Sequence, residues 1–205
     1  MPLADLFWYD EYDTAHPLRS FLPTAARVLF QPRRFFARVD PEGSFLTPLV
    51  FASFYSGVYA TLSTISAALM EVTVHGASLA LPNLIGATLA NILASILAVW
   101  LLTPPLAAVC HLLVRLVVGR SNRGFRATFR VMAYAGATDL IGWVPIVGLP
   151  LAGVWALVLT TIGFRELHAT TLRRAAAAML LPAALSVVGA AGLLLAGPPF
   201  DLARR

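Results

Sequence analysis

Residues 43–70, 72–114, 140–164 and 175–200 of this chain contain no Asp, Glu, Lys or Arg. An uncharged apolar run of about 18 residues is long enough to enter a bilayer as a helix, and each of these stretches exceeds that length. Only 12% of the 205 residues are charged, against about 25% in a soluble domain. The pattern excludes a soluble globular enzyme, a disordered chain and a disulfide-stapled secreted domain. Inside hydrocarbon every backbone group must be satisfied by the protein, so such runs form helices or a closed barrel. They do not alternate apolar with polar residues, which selects helices.

The runs predict an all-α polytopic bundle of five transmembrane helices, preceded by a short amphipathic interfacial segment. The first span covers about Phe45 to Met70, and the second lies within Leu84 to Val114, with Pro104 and Pro105 as a potential kink. The fifth covers about Ala175 to Ala196. Between Arg130 and Arg165, Pro145, Gly148 and Pro150 break any single straight helix. Two helices of about 16 residues rise only about 24 Å each, so this region reads as a thin hairpin, Thr128–Trp143 and Gly148–Phe164. Arg126 and Arg130 are expected to reach back to the interface.

All 15 basic residues are arginine. They fall in the tail before the first span, in the loop holding Arg115 to Arg130, and in the loop holding Arg165, Arg173 and Arg174. The loops between have none. Arginine excess marks cytoplasmic loops, so the expected topology is a cytoplasmic N-terminus, five crossings and an external C-terminus. The absence of lysine points to a GC-rich bacterial genome, so the expected location is a bacterial cytoplasmic membrane. Arg204 and Arg205 depart from the expected topology. The division follows: a tail over residues 1–22, a juxtamembrane segment over 23–42, the membrane domain over 43–197 and a final tail over 198–205. No apolar signal segment precedes residue 45. The basic residues flank apolar runs instead of forming a stripe, which suits anionic lipid headgroups and not nucleic acid.

Small residues at every fourth position mark close helix contacts in lipid. The first span offers Ala52, Ser56 and Ala60, the second Gly86, Ala90 and Ala94, and the fourth Ala152 and Ala156. In the juxtamembrane segment, Thr24 is a candidate N-cap and Pro32 can open a second short helix. Phe35 and Phe36 with Arg33, Arg34 and Arg38 suit an interfacial helix, rings in acyl chains and guanidiniums at phosphates. The alternative packs these rings on the end of the bundle. Upstream, the aromatic-acidic run from Phe7 to Asp13 reads as a mobile tail, or else as a segment that docks a partner through aromatic anchors.

Asp139 is the acid deepest inside a span and therefore a functional candidate. Asn91 reads as an interhelical hydrogen-bonding group or a path-lining one. Cys110 and His111 are adjacent and point about 100° apart on a helix, a poor ligand pair. His75, His111 and His168 lack metal-ligand spacing, and no GxSxG or HExxH motif occurs. No cofactor and no metal is expected.

A longer pattern runs through the chain. It comprises Phe30-Gln31-Pro32-Arg33-Arg34-Phe35-Phe36, Thr47-Pro48-Leu49, His111-Leu112-Leu113-Val114-Arg115 and Gly124-Phe125. It continues with Val131-Met132-Ala133-Tyr134-Ala135, Val144-Pro145 and Gly163-Phe164-Arg165-Glu166-Leu167-His168. Over about residues 27–195 it resembles the bacterial branch of the Yip-domain family, polytopic membrane proteins named for interaction with Ypt/Rab GTPases. The resemblance implies five membrane helices and a cytoplasmic N-terminus. Its eukaryotic members act in vesicle trafficking, but the short tail here departs from them, so Rab binding is not carried over. The expected function is non-enzymatic: partner-binding or membrane-organising, with anionic lipids, a membrane-protein partner or a second copy as partners. The alternative is a small transporter, channel or lipid-handling subunit using Asp139 and Asn91.

Overall fold

The computed structural model describes residues 11–76, 78, 80–119 and 122–179. Among them the chain is helical throughout, with turns and no strand. Helix α1 spans Pro17–Phe30 and α2 Pro32–Phe36. Helices α3 (Leu46–His75), α4 (Leu81–Val118) and α7 (Gly148–Leu167) are long and apolar enough to cross a membrane. Between α4 and α7 lie α5 (Gly124–Ala135), a 3-10 turn (Gly136–Thr138) and α6 (Asp139–Gly142). The chain is helical again over residues 172–179. Most of the expected fifth span, the first ten residues of the expected N-terminal tail and the whole expected tail over residues 198–205 lie outside the described residues.

Each boundary has a local cause. Pro17 opens α1 and Pro32 opens α2, where a missing N–H costs nothing. Thr24 is therefore not an N-cap; it sits buried in mid-helix, and the Ser20 hydroxyl donates instead to the carbonyls around the helix start. Gly76 closes α3 in the left-handed conformation, φ 64°. Helix α4 continues through Pro104 and Pro105 for 38 residues, about 57 Å at 1.5 Å per residue.

The third expected span is not one rod. From Gly124 to Gly142 the chain runs beside α3, meeting successive turns. Phe129 packs on Phe45 with ring centroids 5.0 Å apart. Gly142 lies against Tyr59, and Pro145 lines a cavity with Met70. The break comes at Gly136. The Tyr55 hydroxyl donates to the Ala133 carbonyl at 3.2 Å, the acceptor that a continuing α-helix would return to residue 137. A Cβ at Gly136 would lie 2.1 Å from that hydroxyl. Gly136→Ala is expected to lower stability by about 2 kcal/mol through overpacking, with partial rescue by Tyr55→Phe. Thermal unfolding in detergent reads both.

Helix α7 returns antiparallel to this segment, with Ala152 against Gly142 and Gly163 against Val131. Phe45, the C-terminal part of α4, the start of α5 and the end of α7 thus meet at one end, the arginine-bearing end. The core is there: Phe36, Phe51, Val114, Tyr134, Phe164 and Leu167 are all buried. The far halves of α3 and α4 expose Leu69, Ile85 and Leu89, a surface that carries no penalty when lipid is the solvent.

Candidate functional site

At the arginine-bearing end the N-terminal segment is locked into the bundle. Arg130 is fully buried and pairs with Glu11, while its Nη1 donates to the Ser44 carbonyl. The Tyr134 hydroxyl donates to the same carboxylate at 2.7 Å. Gly43 makes the room, because a Cβ there would lie 2.7 Å from Nη1 of Arg130. Tyr12 is buried 5.3 Å from the ring of Phe51 and 6.3 Å from that of Phe54. The Trp155 indole donates to the Leu29 carbonyl at 3.2 Å, tying α1 to α7. Two expectations are corrected here. Residues 11–13 are docked and not a mobile tail, and Arg130 turns inward to its carboxylate instead of reaching the interface. A buried guanidinium is tolerable only when paired. Arg126 does stay exposed, donating to the Glu42 carbonyl and lying over the Phe45 ring at 5.2 Å.

Beside the clamp, two histidines far apart in sequence are joined through Thr128. The Arg123 amide donates to Nδ1 of His168 at 3.2 Å, so the ring proton is on Nε2, 3.1 Å from Thr128 Oγ1. The Thr128 hydroxyl then donates to Nδ1 of His111 at 2.9 Å. Burial first, then the nearby His111 and Arg123, push the His168 pKa down to about 4. The ring is neutral at pH 7 and acts as a fixed connector between α4, α5 and the end of α7. Sequence spacing gave no sign of it. Among the described residues no group of three metal-ligating side chains forms.

The intramembrane polar candidates separate. Asn91 donates from α4 to the Ala60 carbonyl at 3.2 Å and to Thr64 Oγ1 at 2.9 Å on α3. Asp139, half-buried at the start of α6, lines a different cavity of about 320 Å³ with Tyr55, Thr103, Thr138 and Thr160. The structure does not join the two into one path. Asn91 also fixes which face of α4 meets α3, and this overturns the expected stripe on α4. Gly86, Ala90 and Ala94 are exposed, because the bonded face is rotated one residue on. Ala52, Ser56, Ala60 and Ala152 are buried and Ala156 is half-buried. Asn91→Leu is expected to cost about 1 kcal/mol, the scale of an interhelical hydrogen bond in lipid, read as a shift in the thermal midpoint.

The basic-aromatic collar divides likewise. Phe35 and Phe36 are 2% and 1% exposed, the Phe35 ring packed edge-on with both Phe36 and Tyr134. They are core and not lipid anchors, since α2 turns that face against α5 and α7. Arg33, Arg34 and Arg38 are all exposed, with Arg33 lying 3.5 Å from Glu166.

A family model for the Yip1 domain matches residues 26–193. The chain belongs to the Yip1-domain family. No curated protein and no solved structure matches it. With the three long apolar helices, membership makes it a multi-pass membrane protein. Arg130, Thr128 and both histidines of the connector lie within the Yip1 domain, while Glu11 and Tyr12 precede the matched region. The clamp therefore fastens a preceding segment onto the family domain.

Proposed function

We propose that this chain is a non-enzymatic, five-span protein of a bacterial cytoplasmic membrane, with its arginine-bearing end in the cytosol, that binds membrane-protein partners through its lipid-exposed helices. The Yip1-domain match over residues 26–193 is the observation that carries the reading. The antiparallel course of α3, α4, the α5–α6 segment and α7 supports an even number of passes up to residue 167. The uncharged apolar run over residues 175–196 is long enough in sequence to be the fifth. A family does not fix an activity, so the partner surface must come from this chain. Helix α4 presents Ile85, Leu89, Leu93, Leu97 and Leu101 on an exposed line at every fourth residue, with exposures of 51–69%.

A photo-reactive residue placed at Leu89 or Leu93 tests this in native membranes. A discrete crosslinked protein, whether a second copy or another membrane protein, is the expected result. Crosslinks to lipid alone at both positions contradict partner binding. Nothing in the geometry favours transport, because Asn91 is absorbed in helix packing and Asp139 stands in a separate cavity.

A further inference from the structure

Helix α1 is apolar on two sides. Phe21, Ala25, Val28 and Leu29 are buried against the bundle. On the outer side Leu18, Leu22 and Phe30 are 77%, 71% and 78% exposed, and Ala26 completes a line with a spacing of four residues. This ridge ends in a cleft between α1 and α2 of about 270 Å³, lined by Arg27, Phe30, Gln31, Arg34 and Arg38. Arg27 is held in place by its own helix, donating to the Pro23 carbonyl at 3.2 Å. Arg33 does not line the cleft. Phe30 belongs to both features, so an apolar track leads directly into a pocket walled by three guanidiniums.

We propose that the α1–α2 cleft binds the phosphate of an anionic phospholipid, whose acyl chains lie along the Leu18–Leu22–Phe30 ridge. Guanidinium groups match phosphate oxygens with paired N–H donors and are weakly hydrated, which favours them at such a site. An exposed apolar helix face bordered by arginines is the pattern of a segment lying in an anionic interface. The volume is just below that of pockets for drug-sized ligands, roughly 300 Å³ and more, and suits a headgroup better than a cofactor. The proposal deepens the reading given above by naming a lipid ligand. It depends on that reading only for which leaflet supplies the lipid.

The test uses the full chain in neutral detergent, so it is independent of topology and of any protein partner. Binding of phosphatidylglycerol and phosphatidylcholine is counted by native mass spectrometry, with inorganic phosphate as competitor. The wild type is expected to prefer phosphatidylglycerol by at least tenfold. Each arginine near an anionic headgroup contributes roughly fivefold, so R34Q with R38Q is expected to weaken phosphatidylglycerol binding about 30-fold and phosphatidylcholine, whose choline offsets its phosphate charge, by much less. L22S with F30S is expected to weaken both lipids. Millimolar phosphate is expected to leave most of the lipid bound. Equal binding of the two lipids by the wild type overturns the proposal. So does an arginine variant that keeps the preference at an unchanged thermal midpoint, or complete displacement by inorganic phosphate, which would make the cleft a free-anion site.

Discussion

Arg130→Met is expected to lower the unfolding free energy by about 4 kcal/mol, the scale seen when one partner of a buried ion pair is removed. The loss follows from the geometry on both sides of the pair. The guanidinium is fully buried and supplies the charge that Glu11 meets inside the bundle, and Gly43 leaves a cradle that methionine fills poorly. Glu11→Gln is expected to cost less, about 1.5 kcal/mol. The neutral amide oxygen still accepts from Tyr134 and Arg130, losing only the charge-assisted part of those bonds. The double variant is expected to fall well short of the sum, because the two side chains act as one unit. Chemical denaturation in detergent gives all three values, and limited proteolysis gives a second readout: the N-terminal segment becomes cleavable in R130M before the bundle unfolds. Additive effects with an uncleaved N-terminal segment would show that the pair does not hold residues 11–30 in place.

Acidification is expected to destabilise the wild type by about 3 kcal/mol between pH 6.5 and 4. His168 has its pKa lowered from 6.5 to about 4 in the folded chain, and each unit corresponds to about 1.4 kcal/mol. Above pH 6.5 the ring is neutral in both states and the group has no effect. Below it the unfolded chain binds the proton first, so stability falls with pH until the folded ring also protonates near pH 4. Protonating Nδ1 breaks the bond from the Arg123 amide, since both would then be donors. In H168Q the slope between pH 6.5 and 5 is expected to flatten, at the cost of a lower midpoint at pH 7.5. Thermal midpoints across that range decide it, and a wild type whose midpoint does not move would contradict the neutral connector.

Some of this architecture was legible in the residues. The uncharged runs mark α3, α4 and α7 because a helix in lipid must be apolar along its whole length, whatever it packs against. Pro17 and Pro32 mark helix starts for an equally local reason, although Thr24 was a false cap because a proline seven residues earlier already opened the helix. What escaped depends on tertiary position. Phe35 and Phe36 look the same in sequence whether they meet acyl chains or Tyr134. Gly86, Ala90 and Ala94 form a small-residue line as regular as Ala52, Ser56 and Ala60, and only the bonds of Asn91 to α3 decide which line is the contact. The break at Gly136 comes from Tyr55, on another helix. A signal for the clamp did exist. Arg130 lies in the run Phe129 to Tyr134 with no acid within eight residues, so a buried position demands a distant carboxylate, and the acidic cluster at residues 10–13 is one of the few such supplies in the chain.

The central claim is that the chain crosses the bilayer with its arginine-bearing end in the cytosol. Single cysteines at Ser78, Asn122, Ile146 and Thr170, in a Cys110→Ala background, test it with a membrane-impermeant thiol reagent on sealed right-side-out vesicles. Ser78 and Ile146 are predicted to react at once, and Asn122 and Thr170 only after the vesicles are opened. Reaction of Asn122 in sealed vesicles, or protection of Ile146 while Ser78 reacts, would contradict it.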